Sequence, residues 1–215
     1  MIGGTLLSKN GPKLLVISAA CLMMAGFVYS NRNRIERVEA STILEETVAF
    51  SPDPKKARAA FNEASKVFFS ARCSNCHPAG DAPTQGDTMT THTMDVMRGT
   101  DGKGLKELQC ATCHQEMNLE GESLPPGAPN WHMPPADQKM AFQGLTAGQL
   151  CRQLKDPKMN GGRKTTKEAV EHVKSDPLVL WAWSPGEGRS TPPMSHADFV
   201  KKLNEWVDNG AACPE

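Results

Sequence analysis

The apolar positions of the chain fall into one continuous run and several periodic stretches. The run covers residues 14–29, LLVISAACLMMAGFVY, with Lys9 and Lys13 before it and Arg32 and Arg34 after it. It is slightly short for a membrane span and long for the apolar centre of a signal peptide. Two readings stay open: an uncleaved transmembrane anchor over residues 14–30, or a signal peptide cut near Val28-Tyr29-Ser30. Either one exports the rest of the chain. Residues 1–30 are therefore expected to be an anchor or signal and 31–54 a linker.

Helical spacing begins after Pro52 and Pro54. Ala57, Ala60, Phe61, Ala64, Val67, Phe68 and Ala71 share one face and predict a helix over residues 55–72. Near the other end, Ser195 can cap a helix with Asp198 at its third position, and Gly210 can stop it. Phe199, Val200, Leu203, Trp206 and Val207 form its apolar face. A shorter helix is expected over residues 165–175, where His172 lies beside Ala169 and Val173.

Between these helices the pattern dissolves. The 215 residues include 18 glycines and 16 prolines, only 39% are hydrophobic, and there are seven Phe and one Tyr. This composition predicts a mostly α domain over residues 55–215 with long loops, and a core that needs cohesion from something besides side chains. A large apolar ring buried among the loops would supply it. The 24 basic and 24 acidic residues cancel, so no global charge points to nucleic acid.

The cysteines carry the chemistry. Cys73-Ser74-Asn75-Cys76-His77 and Cys110-Ala111-Thr112-Cys113-His114 are two copies of Cys-x-x-Cys-His. Two thiols one turn apart can add to the two vinyl groups of one haem, and the next residue then places an imidazole under the iron. The expected cofactors are two haem c groups. Cys73, Cys76, Cys110 and Cys113 would form the thioethers, and His77 and His114 the proximal iron ligands. A zinc ribbon is the weaker reading, because its pairs usually stand about 15–20 residues apart and it gives no reason for a His after each pair. The gap between the motifs is too short for a whole haem domain, so the haems should share one domain and lie close. Cys151 and Cys213 remain as a disulfide pair, which suits an oxidising compartment.

The distal ligands are open. His92, in a loop between the motifs, and His172, on its short helix, are the leading candidates. His132 and Met133, in Asn130-Trp131-His132-Met133-Pro134-Pro135, are the alternatives. His196 is expected to face solvent. Trp181 and Trp183 read as core packing, with a place at a haem edge as the second possibility.

Both long helices resemble those of class I cytochromes c, where an N-terminal and a C-terminal helix cross. The implied fold is mostly α, with class I cytochrome c-like helices and long loops wrapped around two covalently bound haems. A second resemblance covers about two thirds of the chain. It is carried by His92-x-Met94-x-Val96-x-Arg98-Gly99, Cys110-x-x-Cys113-His114, Pro126-Gly127-Ala128-Pro129-x-Trp131 and Gln149-Leu150-Cys151-x-x-Leu154-Lys155-Asp156-Pro157. Asn160-Gly161-Gly162-Arg163, His172, Trp181-x-Trp183-x-Pro185-Gly186 and Trp206-Val207-x-x-Gly210-Ala211-x-Cys213-Pro214 belong to it as well. These stretches resemble a proteobacterial group of dihaem cytochromes labelled as a subunit of isoquinoline 1-oxidoreductase, whereas Met133-Pro134-Pro135 departs from that pattern. The resemblance implies a redox partner such as a molybdenum hydroxylase.

The expected function is electron transfer in the periplasm, at the inner membrane, between a dehydrogenase or membrane complex and an acceptor. The chain is read as a carrier and not as an enzyme. The alternatives are a haem enzyme with an open iron, peroxidase-like or oxidising sulfur compounds, and a fixed cytochrome subunit of a respiratory or photosynthetic complex.

Overall fold

The computed structural model describes residues 51–122 and 124–215. The expected anchor or signal at residues 14–30 lies outside them. Within them the secondary structure is mostly helical, with two small antiparallel ribbons.

Helix α1, Pro54–Phe68, starts where the sequence places it. The Asp53 carboxylate accepts from the backbone N–H groups of Lys55 and Lys56, and Pro54 takes the first helical position, where its missing N–H costs nothing. The expected continuous helix to residue 72 breaks after Phe68. Ser70 is extended and begins a separate turn, α2, Ala71–Ser74. The break re-aims the chain, so the first cysteine motif sits on its own turn and does not extend the α1 axis.

Four more helices complete the frame. Helix α3, Ala147–Lys155, opens with a capping box between Thr146 and Gln149. Helix α4, Thr166–Ser175, is capped by Thr165 and ends at Asp176, which caps the short α5, Pro177–Leu180. Helix α6, His196–Asp208, is capped by Ser195, as its sequence predicts.

Helices α1 and α6 pack together. Phe61 meets Trp206 at 4.9 Å between ring centres, and Phe68 meets Phe199 at 5.1 Å and Phe142 at 5.3 Å, both edge to face. Leu150, Leu154, Val170 and Leu203 fill the space around these rings. The Cys151–Cys213 disulfide ties α3 to the C-terminal segment across a sequence separation of 62. Closing a loop of that size removes denatured-state entropy worth about 4 kcal/mol in the chain-entropy account.

The remaining structure is loop pinned by backbone hydrogen bonds. Ribbon β1 (Thr84–Gln85) pairs with β2 (Thr90–Thr91), and β3 (Gly104–Leu105) with β4 (Leu108–Gln109). The buried Arg98 guanidinium donates to the Pro134 carbonyl at 2.6 Å and the Gly80 carbonyl at 3.1 Å, and so joins three loops. Gly102, at φ +81°, lets the 130–135 segment approach closely, since a Cβ there would overlap the Met133 carbonyl.

Among the described residues no helix is long and apolar enough to cross a membrane; the longest, α1, is amphipathic and has 15 residues, and the expected span lies outside them. One expectation is corrected. The expected metal-binding cluster is missing, because no three His, Cys, Asp or Glu side chains among the described residues converge where they could hold a metal ion. The motif His and Cys side chains are instead distributed along the walls of two cavities.

Candidate functional site

The first cavity, about 310 Å³, opens beside the helical core. Cys73, Cys76 and His77 line it from the turn that follows α1. The His77 backbone N–H donates to the Cys73 carbonyl at 3.2 Å, which closes the motif into a turn. A carbonyl oxygen can only accept, so the His77 Nδ1 that lies 2.7 Å from the Met140 carbonyl carries the proton. The Nε2 lone pair is left free. Phe142 stacks on the His77 ring at 3.9 Å, with planes 10° apart, and fixes its tilt. Burial pushes the His77 pKa down to about 4, so the ring is a neutral lone-pair donor at neutral pH.

His172, on α4, lines the same cavity. Its Nδ1 lies 3.4 Å from the Asp176 carboxylate. Burial, reinforced by the nearby Arg163, brings its pKa to about 4, and the ring is again neutral. His132 lines this cavity as well, with Nδ1 donating to the Asn130 carbonyl of its own loop at 2.6 Å.

The second cavity, about 680 Å³, is walled by ribbons and loops. Cys110, Cys113 and His114 line it from a 3-10 turn over Cys110–Thr112. The His114 Nδ1–H donates to the Pro126 carbonyl at 2.7 Å, and Trp131 stacks on the ring at 4.4 Å with planes 2° apart. His92 stands across from it. Its backbone N–H donates to Pro83 at 3.0 Å, just beyond the β1–β2 pair, and its Nδ1–H donates to the Thr93 carbonyl at 2.8 Å.

The His92 and His114 ring centres are 6.1 Å apart, at 64°. This spacing allows a test of fit. Two imidazole nitrogens each roughly 2 Å from one ion would stand about 4 Å apart, with the ring centres a further ring radius out on each side. The observed gap between ring centres is of the size at which two imidazoles can reach one ion.

The Cys73 and Cys76 thiols are held in the protonated form at neutral pH. Burial, with Cys76 alongside, pushes the Cys73 pKa to about 12, and burial with Cys110 nearby pushes Cys76 to about 11. Thiol-exchange pairs and thiolate metal sites need the opposite shift.

The cavities share a wall. Arg72, Cys76 and Trp181 line both. The extended segment 131–134 alternates across the wall: Trp131 and Met133 face the second cavity, His132 and Pro134 the first. Trp131 and Trp181 meet edge to face at 4.9 Å.

The structure thus brings Cys73, Cys76, His77, His172 and His132 to one cavity and Cys110, Cys113, His114, His92 and Met133 to the other. His196 does not face solvent as expected. It is half-buried, its Nε2 lies 3.0 Å from the Val173 carbonyl, and it packs edge-on against Trp183. Trp183 packs near Phe199 at 5.7 Å and donates to Met194, so it joins the core while also lining the first cavity, whereas Trp181 lines both cavities. Sequence reasoning missed Arg72 and Arg189, for which no motif exists. It also missed the two-sided loop, although the Trp-His-Met-Pro alternation is readable as an extended segment with two faces. No protein-family profile, curated protein or solved structure matches this chain.

Proposed function

We propose that this chain is a dihaem cytochrome c that relays single electrons. One observation carries the reading: each Cys-x-x-Cys-His motif lines its own cavity, and each cavity holds a second imidazole with a free Nε2. Six-coordinate haem supplies one-electron chemistry with little change in ligation. The residues of the chain do the rest. Cys73, Cys76, Cys110 and Cys113 would hold the haems by redox-neutral thioether attachment, which needs no external oxidant. His77 and His114 would bind the irons from the motif side, and their backbone carbonyl partners fix the tautomer that leaves Nε2 available. His172, held by a helix with Asp176 behind it, would be the second ligand in the first cavity, and His92 in the second.

The packing of α1, ahead of the motifs, against α6, behind them, supports a class I cytochrome c-like arrangement around the first haem. Covalent haem and the Cys151–Cys213 bridge both suit the periplasm. With at least two imidazoles in each cavity, the reading favours a carrier over a haem enzyme with an open iron. Its donor and acceptor are redox proteins; a molybdenum hydroxylase is the kind implied by the resemblance over the stretches 92–99, 110–114 and 149–157, and a membrane complex is the other candidate.

The test is haem counting on protein expressed with a haem-attachment system. Mass spectrometry of the denatured protein should show two covalent haems, and the oxidised spectrum should be low-spin at both irons. A denatured protein of unmodified mass would overturn the reading.

A further inference from the structure

Cys76 alone among the four motif cysteines lines both cavities. Cys73 lines only the first, and Cys110 and Cys113 only the second. Cys110 is buried, with its Sγ 4.0 Å from the Gly102 carbonyl, whereas Cys113 is exposed. The thiols therefore divide into an inner pair, Cys76 and Cys110, and an outer pair, Cys73 and Cys113. The inner pair is close enough for charge on Cys110 to be felt at Cys76, where it adds to burial in keeping the thiol protonated. Hydrogen bonds through Arg98 fix their separation. The Arg98 side chain is 1% exposed. Besides its bonds to the Gly80 and Pro134 carbonyls, its backbone N–H donates to the Asp81 carbonyl at 2.8 Å, and its own carbonyl accepts from the Gly104 N–H at 2.9 Å. Gly104 opens β3, which pairs with β4, and β4 runs directly into Cys110. The Cys110 N–H then donates to the Lys103 carbonyl at 2.9 Å. One residue thus joins the chain leaving the first motif to the ribbon entering the second.

We propose that electrons cross between the two haems at the Cys76–Cys110 pair, with Cys76 as the bridging residue and Arg98 as the positioning residue that sets the gap. The idea rests on the dihaem reading above. Each thiol would become a thioether sulfur bonded to the edge of its haem. Tunnelling falls steeply with the gap between donor and acceptor edges, and Cys76 is where the edge of the first haem would reach the second cavity. In each crossing one electron leaves a reduced iron and arrives at an oxidised one; no bond forms or breaks and no proton moves. Cys73 and Cys113 stand outside this crossing and serve attachment alone.

The experiment is rapid photoreduction of the full holoprotein, followed by re-equilibration between the haems, in Cys73→Ala, Cys76→Ala, Cys110→Ala and Cys113→Ala. Each variant leaves the affected haem one thioether, so both haems stay covalent. That haem also keeps one vinyl group conjugated with its ring, which shifts its absorption to longer wavelength and makes the electron's arrival visible. Both members of a pair disturb the same haem in the same way, so the comparison within each pair isolates the crossing. Cys76→Ala should re-equilibrate several-fold more slowly than Cys73→Ala, and Cys110→Ala several-fold more slowly than Cys113→Ala. Equal rates within either pair, or a slower outer variant, would overturn the proposal. Where one variant does not hold two haems, the other pair decides. The wild-type holoprotein gives a check that needs no substitution: its Soret circular dichroism should show the split band of two rings coupled at close range, and an unsplit band would also overturn the proposal. A wild-type protein without two covalent haems would instead overturn the dihaem reading, so the two failures are distinguishable.

Discussion

The first cavity is walled by helices that the core already holds in place. The second is walled by ribbons and extended loops whose positions rest on single backbone hydrogen bonds. Both begin from the same five-residue motif, and in both the imidazole of the motif donates Nδ1–H to a carbonyl and lies parallel to an aromatic ring. The supports then diverge. Behind His77 stands Phe142, itself 3% exposed and in contact with Phe68. Behind His114 stands Trp131, half-buried and backed by Trp181. The second imidazoles differ in the same way: His172 sits on a capped helix, His92 in a loop beside a two-residue ribbon. One motif can therefore be mounted on a rigid wall or an adaptable one, and the wall decides how far damage spreads.

The largest effects should come from removing one attachment pair at a time. Cys73→Ala with Cys76→Ala leaves a cavity against Phe68, Phe199, Leu203 and Trp206, all core residues. That variant should lose much of its helical circular dichroism or fail to accumulate. Cys110→Ala with Cys113→Ala should keep the α1–α6 core, hold one haem and unfold with near-normal cooperativity. Equal damage from the two would show that the loops and the core fold as one unit, and the comparison would collapse.

Next in size are the Cys151–Cys213 bridge and the stacking rings. Cys151→Ser with Cys213→Ser should cost about 4 kcal/mol, seen in denaturant unfolding, with haem spectra unchanged. Phe142→Ala should cost about 3–5 kcal/mol, as a large buried ring does. Trp131→Ala should cost less than half as much, because its ring is partly in water, and it should perturb only the spectrum of the second haem. A larger stability loss from Trp131→Ala than from Phe142→Ala would invert the ranking of the two walls.

The same contrast explains what was legible beforehand. The motif cysteines and His77 and His114 were readable as a pentapeptide that occurs twice, and each copy lines its own cavity. Helices α1 and α6 were readable because their apolar faces repeat with helical period and their caps, Asp53 aside, are local sequence signals. The break at Ser70 was not, since Phe69-Ser70 carries no Pro or Gly and the turn is set by tertiary placement. His196 was misjudged for a related reason. A polar residue in a first helical turn usually faces water, but here Trp183 and the Val173 carbonyl cover it. Arg72 left no trace in the pattern, because a lone Arg acquires meaning only when the fold buries it between two cavities.

The smallest predicted effect tests whether the shared wall keeps the two sites separate. Asp176 stands behind His172 and also caps α5, accepting from the Leu178 N–H at 2.9 Å. Asparagine caps a helix about as well as aspartate, so Asp176→Asn should leave the backbone in place. What changes is the carboxylate beside Nδ1. Its loss makes the imidazole less basic and weakens its support of the oxidised iron. The potential of the first haem should rise, by less than a tenfold change in relative stability, or under ~59 mV for one electron. The second haem should not respond, because Asp176 lines only the first cavity. Arg72, in contrast, lines both. Movement of both potentials in Asp176→Asn would mean that the wall transmits ligand strain, and the two cavities would then behave as one redox site.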